Sequence, residues 1–301
     1  MLGEYPITWL VTEVLSVVLF VLCMIHAIRS DHPKERLFEL CCFILAAAIF
    51  EHVGVLTGNY WYDQHRIMMF GLIPLSILMI ESVIMYSAMV LFEYMRMPTW
   101  TIVFFVGLLS TVQDMTIDPV YVNDTYVYDG IASGQWNWSI YYGPTFFGIP
   151  FFNFSAWYYM TGIYAGLLLL GRRLLARTRS NAVGTLYPFA AAVLLMVPLA
   201  VVAVLLVKPV YAHNGTFLLI YELLALIANM AAGGGLIKRY WGRSVPIDLR
   251  KDGLVVFGVP VVLHLYDLVV GFALGITLSY LPVALFTVAH LAFLYAVYRK
   301  R

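Results

Sequence analysis

Runs of apolar residues, each long enough to cross a lipid bilayer, recur along the whole of this 301-residue sequence. A membrane-spanning helix needs about 20 predominantly apolar residues. Nine segments meet that requirement, namely 7–28, 37–58, 67–95, 100–117, 150–171, 183–207, 216–237, 254–276 and 280–298. Only 12% of the residues are charged, about half the usual share in soluble domains. The sequence therefore predicts an all-α, polytopic membrane protein with about nine transmembrane helices, eight being possible.

The positions of the basic residues predict how these helices are oriented. Sixteen of the 18 Lys and Arg residues lie in the links after the first, third, fifth and seventh segments and in the C-terminal tail. Because cytoplasmic loops are enriched in Lys and Arg, we expect the N-terminus outside and the C-terminus inside. The apolar segments are joined by short links, so residues 1–301 are predicted to form a single integral membrane domain in the cell membrane.

Composition also bears on partners and cofactors. The formal net charge of +1 gives no reason to expect nucleic-acid binding. Cys23, Cys41 and Cys42 lie in apolar segments without a CxxC pattern, and no HxxxH motif is present, so we expect no metal site. His264 and His290 also lie in apolar segments, and the sequence leaves haem ligation by them open. Membrane lipids are the expected surroundings, and the oligomeric state is left open.

Acidic residues at membrane depth are costly and are therefore functional candidates, although an acid near a helix end can simply reach water. Asp114 and Asp118 are spaced i, i+4, so their carboxyls share one helix face. Like charges that close disfavour double ionisation, and we expect the pair to share a proton near neutral pH. Because Asp118 precedes Pro119, we expect it at the helix end, where the loop begins. The other acids in apolar segments are Glu51, Glu222 and Asp267, predicted in the outer half of the membrane, and Glu81, predicted deeper.

The long connection over 118–149 is predicted to face outward, and a link of that length is uncommon unless it is functional. It is rich in Trp and Tyr, with Gly and Pro that restrict the backbone path. Many Trp and Tyr residues of membrane proteins merely mark the bilayer interface. Here Trp136, Trp138 and Tyr142 are predicted to form an aromatic lid over the acids. Asn153 and Trp157, spaced i, i+4 on the next helix, are expected to face that lid.

Several spaced motifs together resemble a known family. They are E-x-x-G-x-x-T-G followed by tyrosines at 51–62, D-x-x-x-D-P at 114–119, G-x-W-x-W at 134–138, and "YYG…FGIPFFNFSAW" over 141–157. The combination resembles the membrane carotenoid-biosynthesis family, whose members include carotenoid 1,2-hydratases and bisanhydrobacterioruberin hydratase. The resemblance covers residues 45–160, the predicted catalytic segment with its outward loop. The family often has Trp near the position of Glu81, and residues 160–301 show no comparable motif.

The resemblance implies hydration of a terminal isopropylidene group of an acyclic carotenoid or related isoprenoid. That reaction needs a protonated carboxyl, a tertiary carbocation and water, and no cofactor. The implied catalytic residues are Asp114, Asp118 and Glu51, with aromatic faces stabilising the developing positive charge. The implied substrate-binding residues are Thr57, Tyr60, Tyr62, Trp136, Trp138, Tyr142, Asn153 and Trp157.

Two other functions remain open at the level of sequence. The acids would serve equally as the proton relay of a proton- or solute-coupled transporter. Alternatively, the chain binds a carotenoid without converting it. Transporters typically show inverted repeats, and no such repeat is visible here, which favours the enzyme.

Overall fold

The apolar runs form helices along almost the whole chain. The computed structural model describes residues 5–128, 130–139, 145–146, 148–202 and 216–300. The helices are α1 Ile7–Arg29, α2 Pro33–Leu56, α3 Leu75–Met95, α4 Ile102–Tyr121, α5 Phe151–Thr178, α6 Asn181–Leu194, α7 Met196–Val202, α8 Thr216–Tyr240, α9 Val259–Ala273 and α10 Thr277–Tyr298. A 3₁₀ turn, Thr99–Thr101, precedes α4, and a π turn, Leu254–Gly258, precedes α9.

Within the described ranges, eight helical spans are long and apolar enough to cross a membrane, one of them running from α6 into α7. The helix α5 is less apolar, but its 28 residues make it long enough to be a ninth. These spans confirm the prediction of an all-α membrane protein with eight or nine crossings.

Some predicted boundaries are wrong. The second helix begins at Pro33 and not at 37, because proline is well tolerated at the first helical position, where its missing N–H is not needed. The third begins at Leu75 and not at 67, since the residues before it form short strands. The fifth continues to Thr178 instead of ending at 171. Residues 203–207 of the sixth predicted segment lie outside the described residues.

The helix α4 lies at the centre of the bundle and packs against α3, α5, α8, α9 and α10. Its neighbour α3 is apolar on every side, which is typical of a helix surrounded by other helices. Glu81 on α3 and Asp114 and Asp118 on α4 are therefore carried into the interior of the protein.

Glycines bring α5 close to α4. A Cβ atom at Gly162 would lie 2.3 Å from the carbonyl oxygen of Val103, and one at Gly107 would lie 2.7 Å from that of Tyr158. Small residues allow helix backbones in membranes to approach closely. In the "AAGGGLI" stretch of α8, only one of the three glycines makes such an approach. Gly233 lies against α4, whereas Gly234 and Gly235 face open space.

In the described part of the chain, three short antiparallel ribbons cover one end of the bundle. Strand β1 (Tyr60–Tyr62) pairs with β6 (Trp136–Trp138), β2 (Met69–Phe70) with β3 (Ile73–Pro74), and β4 (Tyr126–Tyr128) with β5 (Ile131–Ser133). The β1–β6 ribbon joins the segment after α2 to the long connection after α4. It lies at the end of the bundle where α2 and α4 finish and α3 and α5 begin.

Candidate active site

Four carboxyl groups from three helices meet beneath the β1–β6 ribbon. Glu51 comes from α2, Glu81 from α3, and Asp114 and Asp118 from α4, and all four are buried. Glu51 and Glu81 are hydrogen-bonding neighbours, as are Asp114 and Asp118, and Asp118 also lies near Glu51. We call these four side chains the acid cluster.

Asn153, near the start of α5, binds both aspartates of this cluster. Its amide nitrogen Nδ2 donates to Oδ2 of Asp114 at 2.9 Å and to Oδ2 of Asp118 at 2.6 Å. One amide therefore holds the two carboxyls in a fixed relative position. The close packing of α5 on α4 is what brings this amide within reach.

Asp118 does not stand at the end of a helix, so that expectation is wrong. The helix α4 continues through Pro119 to Tyr121, and the amide of Val122 still donates to the carbonyl of Asp118 at 3.0 Å. Proline at the last turn sacrifices one backbone hydrogen bond, whereas burial of the surrounding residues stabilises the helical conformation. Asp118 consequently stays on the same helix face as Asp114 and is only 3% exposed.

The β1–β6 ribbon places aromatic rings beside the acid cluster. Its register pairs Tyr60 with Trp138 and Tyr62 with Trp136, and all four side chains are buried. The hydroxyl of Tyr62 donates to Oε2 of Glu51 at 2.5 Å. The rings of Tyr60 and Trp138 pack edge to face, with centroids 4.9 Å apart.

The E-x-x-G motif has a steric explanation in this arrangement. A Cβ atom at Gly54 would lie 2.2 Å from the hydroxyl oxygen of Tyr60, so only glycine lets that ring pack against α2. Gly58 has φ +76°, a backbone conformation that favours glycine, where the chain turns from α2 towards β1.

The ribbon is tied to the rest of the outer segments by Asp63. Its carboxylate accepts hydrogen bonds from Ser133 Oγ at 2.6 Å and from the backbone amide of His65 at 2.8 Å. Burial alone would raise the pKa of Asp63, but these hydrogen bonds outweigh it and lower the pKa below its usual value.

The other predicted site residues are placed differently. Thr57 is exposed, and its hydroxyl donates to the carbonyl of Val53 in the last turn of α2, away from the acids. Trp157 is buried one turn after Asn153 on α5. Tyr142 lies outside the described residues. Among the described residues, the buried indole nitrogen of Trp138 has no hydrogen-bond partner.

The acid cluster has no cationic side-chain partner among the described residues. No ion pair in the described part of the chain includes any of its four carboxyls, and Oε2 of Glu81 and Oδ1 of Asp114 have no hydrogen-bond partner there. Four buried carboxyls cannot all be ionised so close together without a counter-charge. Some of the four carboxyls are therefore protonated, and they lie beneath the aromatic side chains of the β1–β6 ribbon.

A second buried polar network lies on the far side of α4. Thr116 donates to Oδ2 of Asp267 at 2.9 Å and contacts Nδ1 of His264 at 3.2 Å, and Nε2 of His264 lies 2.9 Å from Nδ1 of His290. Asp267 is close enough to Asp118 to interact with it electrostatically. No group of three or more His, Cys, Asp or Glu side chains in the described ranges is arranged to hold a metal ion.

Sequence reasoning did not assign Glu81 to the site. The available signal was an acid within a predominantly apolar segment, a position that is costly unless it is functional. What the sequence lacked was the contact between α2 and α3 that brings Glu81 to Glu51.

Comparison with known proteins identifies a matching family. A family described as carotenoid biosynthesis protein matches residues 11–221, more than two thirds of the chain. This match confirms the resemblance drawn from the motifs, and it extends well beyond the 45–160 segment that carried them. No curated protein and no solved structure matches the chain.

Proposed function

Because the chain belongs to the carotenoid biosynthesis protein family, we propose that it hydrates the terminal isopropylidene double bond of an acyclic carotenoid or related isoprenoid. The family places its role in carotenoid biosynthesis. The observation that supports hydration is the acid cluster, with its protons held against aromatic side chains at one end of a membrane-embedded bundle. Such a substrate is soluble in the lipid that surrounds these helices.

The two carboxyl pairs have complementary parts in this reaction. Asp118 and Glu51 are slightly exposed, at 3% and 5%, whereas Asp114 is fully buried. Asp118 is therefore the proton donor, and Asp114 with Asn153 keeps it in position. Glu51, oriented by Tyr62, receives a proton from the attacking water.

The reaction balances without a redox partner. The proton from Asp118 adds to the CH carbon of the double bond, and the positive charge develops on the neighbouring tertiary carbon. The oxygen of water bonds to that carbon, and the surplus proton passes to Glu51. Because Glu51 lies near Asp118, the proton returns within the cluster, and the product is a tertiary alcohol.

The aromatic ribbon stabilises the carbocation. The face of an aromatic ring carries negative charge density that attracts a cation within about 6 Å. Tyr60 interacts with Glu51, and Trp138 and Trp136 pair with Tyr60 and Tyr62 across the ribbon. These rings are the ones proposed to face the carbocation.

Substitution of Asp118 tests the proposal. In cells that produce an acyclic carotenoid with unmodified ends, we expect the wild-type protein to convert the pigment to a tertiary alcohol. Its new oxygen comes from isotopically labelled water in the medium, as mass spectrometry of the extracted pigment will show. Asp118→Asn keeps the size of the side chain but removes its acidity, so hydrated product per folded protein should fall by about 10²–10⁴-fold. Asp114→Asn should cost as much if the two aspartates share one proton.

Glu222→Gln is the matched control. Glu222 is also a buried acid, and in the described residues its Oε1 also has no partner, but it lies on α8 outside the cluster. We expect that variant to retain hydration. If Asp267→Asn abolishes hydration while Asp118→Asn does not, the proton donor belongs to α9 and the proposal is wrong. Unaltered pigment with the wild-type protein would instead indicate binding without catalysis.

A further inference from the structure

A cavity of about 690 Å³ opens at the end of the bundle opposite the acid cluster. Four arginines line it: Arg36 from α2, Arg96 directly after α3, Arg172 from α5, and Arg179 directly after α5. Arg36 precedes Glu51 by fifteen residues on the same helix, a separation of about 22 Å along its axis. The cavity is thus separate from the proposed hydration site, and its size is typical of ligand pockets.

Two of these arginines are held in place by buried or half-buried acids. Arg36 donates to Glu93 at 2.6 Å, and Arg172 donates to the other oxygen of Glu93 at 3.0 Å. Arg172 also binds both carboxylate oxygens of Glu39, at 2.7 and 2.5 Å. These contacts fix two guanidinium groups in the cavity wall.

The other two arginines have no acid partner among the described residues. Arg96 and Arg179 have φ 51° each, and in the described chain they are the two residues other than glycine with a positive φ. Glycine is the usual residue at such a position after a helix, because a Cβ atom is strained there. A cation at a helix C-terminus is favourable, but it does not require this strained backbone. Arg96 and Arg179 both line the same cavity, and each contributes a guanidinium group that has no acid partner in the described residues.

We propose that this cavity binds a phosphate group, carried either by a phospholipid headgroup at the membrane surface or by a free phosphate. Arginine matches the geometry of phosphate oxygens with its planar fork of donors. Basic pockets between transmembrane helices bind the headgroups of anionic lipids. The side chains of Phe38 on α2 and Leu174 on α5 are apolar and exposed, as is typical of helix surfaces that face lipid.

The acids on the cavity wall lead to a further prediction about phosphate binding. Glu93 is neutralised by Arg36 and Arg172, and Asp31 is paired with Lys251 at 2.6 Å. Glu35 also lines the cavity, and no hydrogen bond or ion pair neutralises it in the described residues. It opposes an anion, so its removal should strengthen phosphate binding.

The test uses the full chain purified in nanodiscs of a zwitterionic phospholipid, with or without added anionic phospholipid, and with or without inorganic phosphate. Retained anionic lipid is counted by native mass spectrometry, and phosphate binding is followed by the shift in thermal unfolding. Arg96→Asn and Arg179→Asn remove the charges while keeping a residue that tolerates positive φ. Each should weaken binding about fivefold, the effect of one arginine near an anionic surface. Glu35→Gln should strengthen it.

Arg177→Gln is the matched control, because Arg177 carries the same charge in the last turn of α5 but does not line the cavity. We expect it to bind as the wild type does. Retention of anionic lipid without a response to inorganic phosphate identifies a headgroup site, and a response to phosphate alone identifies a free-phosphate site. If neither probe binds, or if Arg177→Gln loses as much as Arg96→Asn and Arg179→Asn, the proposal is wrong. The result is independent of carotenoid hydration, because the variants are remote from the acid cluster.

Discussion

At the scale of single residues, the least expected member of the acid cluster is Glu81. It lies in the first half of α3, is only 1% exposed, and has Glu51 and Asp118 as acidic neighbours. A buried acid that has other acids as neighbours, and no cationic partner among the described residues, does not stabilise the fold, because desolvation costs more than a hydrogen bond returns. Its presence is therefore better explained by proton transfer than by packing.

Glu81→Gln separates these two roles. The amide keeps the shape and can still donate to Glu51, but it cannot accept and release a proton. We expect hydration to fall by at least about tenfold, at the lower limit of general acid–base effects. The midpoint of thermal unfolding in detergent should be unchanged or higher. Glu222→Gln again serves as the control, and full hydration by Glu81→Gln would show that the proton path does not include α3.

At the scale of elements, the site depends on how the β1–β6 ribbon is seated on α2. Gly54 leaves space for the ring of Tyr60, and the ribbon register then sets Tyr62 against Glu51. A ribbon of two three-residue strands is not stable alone, so contacts with the helices maintain it.

Gly54→Ala should disturb this seating. Its Cβ would overlap the Tyr60 hydroxyl, and overpacking of this kind costs about 1–3 kcal/mol of unfolding free energy. We expect a lower unfolding midpoint and a loss of hydration. Gly235→Ala, on an open face of α8, is the control. Alanine favours a helix by up to about 1 kcal/mol over glycine, so that variant should be no less stable than the wild type.

An ion pair also joins α1 to the outer segments. It forms between Glu13 of α1 and Arg66, which lies in the segment before β2. Nε of Arg66 donates to Oε1 of Glu13 at 2.8 Å, and their side chains are 0% and 2% exposed. Arg66 also contacts Gln135 and lies over the ring of Trp9. The pair therefore anchors the outer segments to the first helix.

Glu13→Gln should destabilise the protein more than most single substitutions. It removes the ion-pair partner of the buried Arg66, and breaking a buried ion pair in this way costs about 3–5 kcal/mol. Replacing both residues together, as Glu13→Leu with Arg66→Met, should recover much of that loss. Unfolding of the wild type and the two variants in detergent measures the difference, and equal stability of the single and double variants would contradict this prediction.

At the scale of the whole molecule, the two ends of the bundle differ in charge. The acid cluster and the aromatic ribbon lie at one end, and the arginine-lined cavity lies at the other. The distribution of Lys and Arg in the sequence predicts that the arginine end faces the cytoplasm. The proposed hydration site would then lie near the outer surface.

Cysteine labelling in intact cells tests that orientation. In a background where Cys23, Cys41 and Cys42 are alanine, Ala132→Cys introduces a thiol at an exposed position of β5, and Ser180→Cys introduces one between α5 and α6. A membrane-impermeant reagent should label the first and not the second until the membrane is opened. Labelling of Ser180→Cys alone would reverse the orientation.

The sequence by itself determined the helices, because the length of an apolar segment is a local property that can be compared directly with the thickness of a bilayer. It also determined that Asp114 and Asp118 share a face, since an i, i+4 spacing is fixed within one helix. It misplaced the end of α4, because the weak preference before Pro119 was overruled by packing around the helix. Only the tertiary structure decided that Glu81 meets Glu51, that Asn153 bridges the aspartates, and that four arginines surround one cavity. Those contacts join residues far apart in the chain, and they depend on which helix faces pack together, which no local pattern specifies.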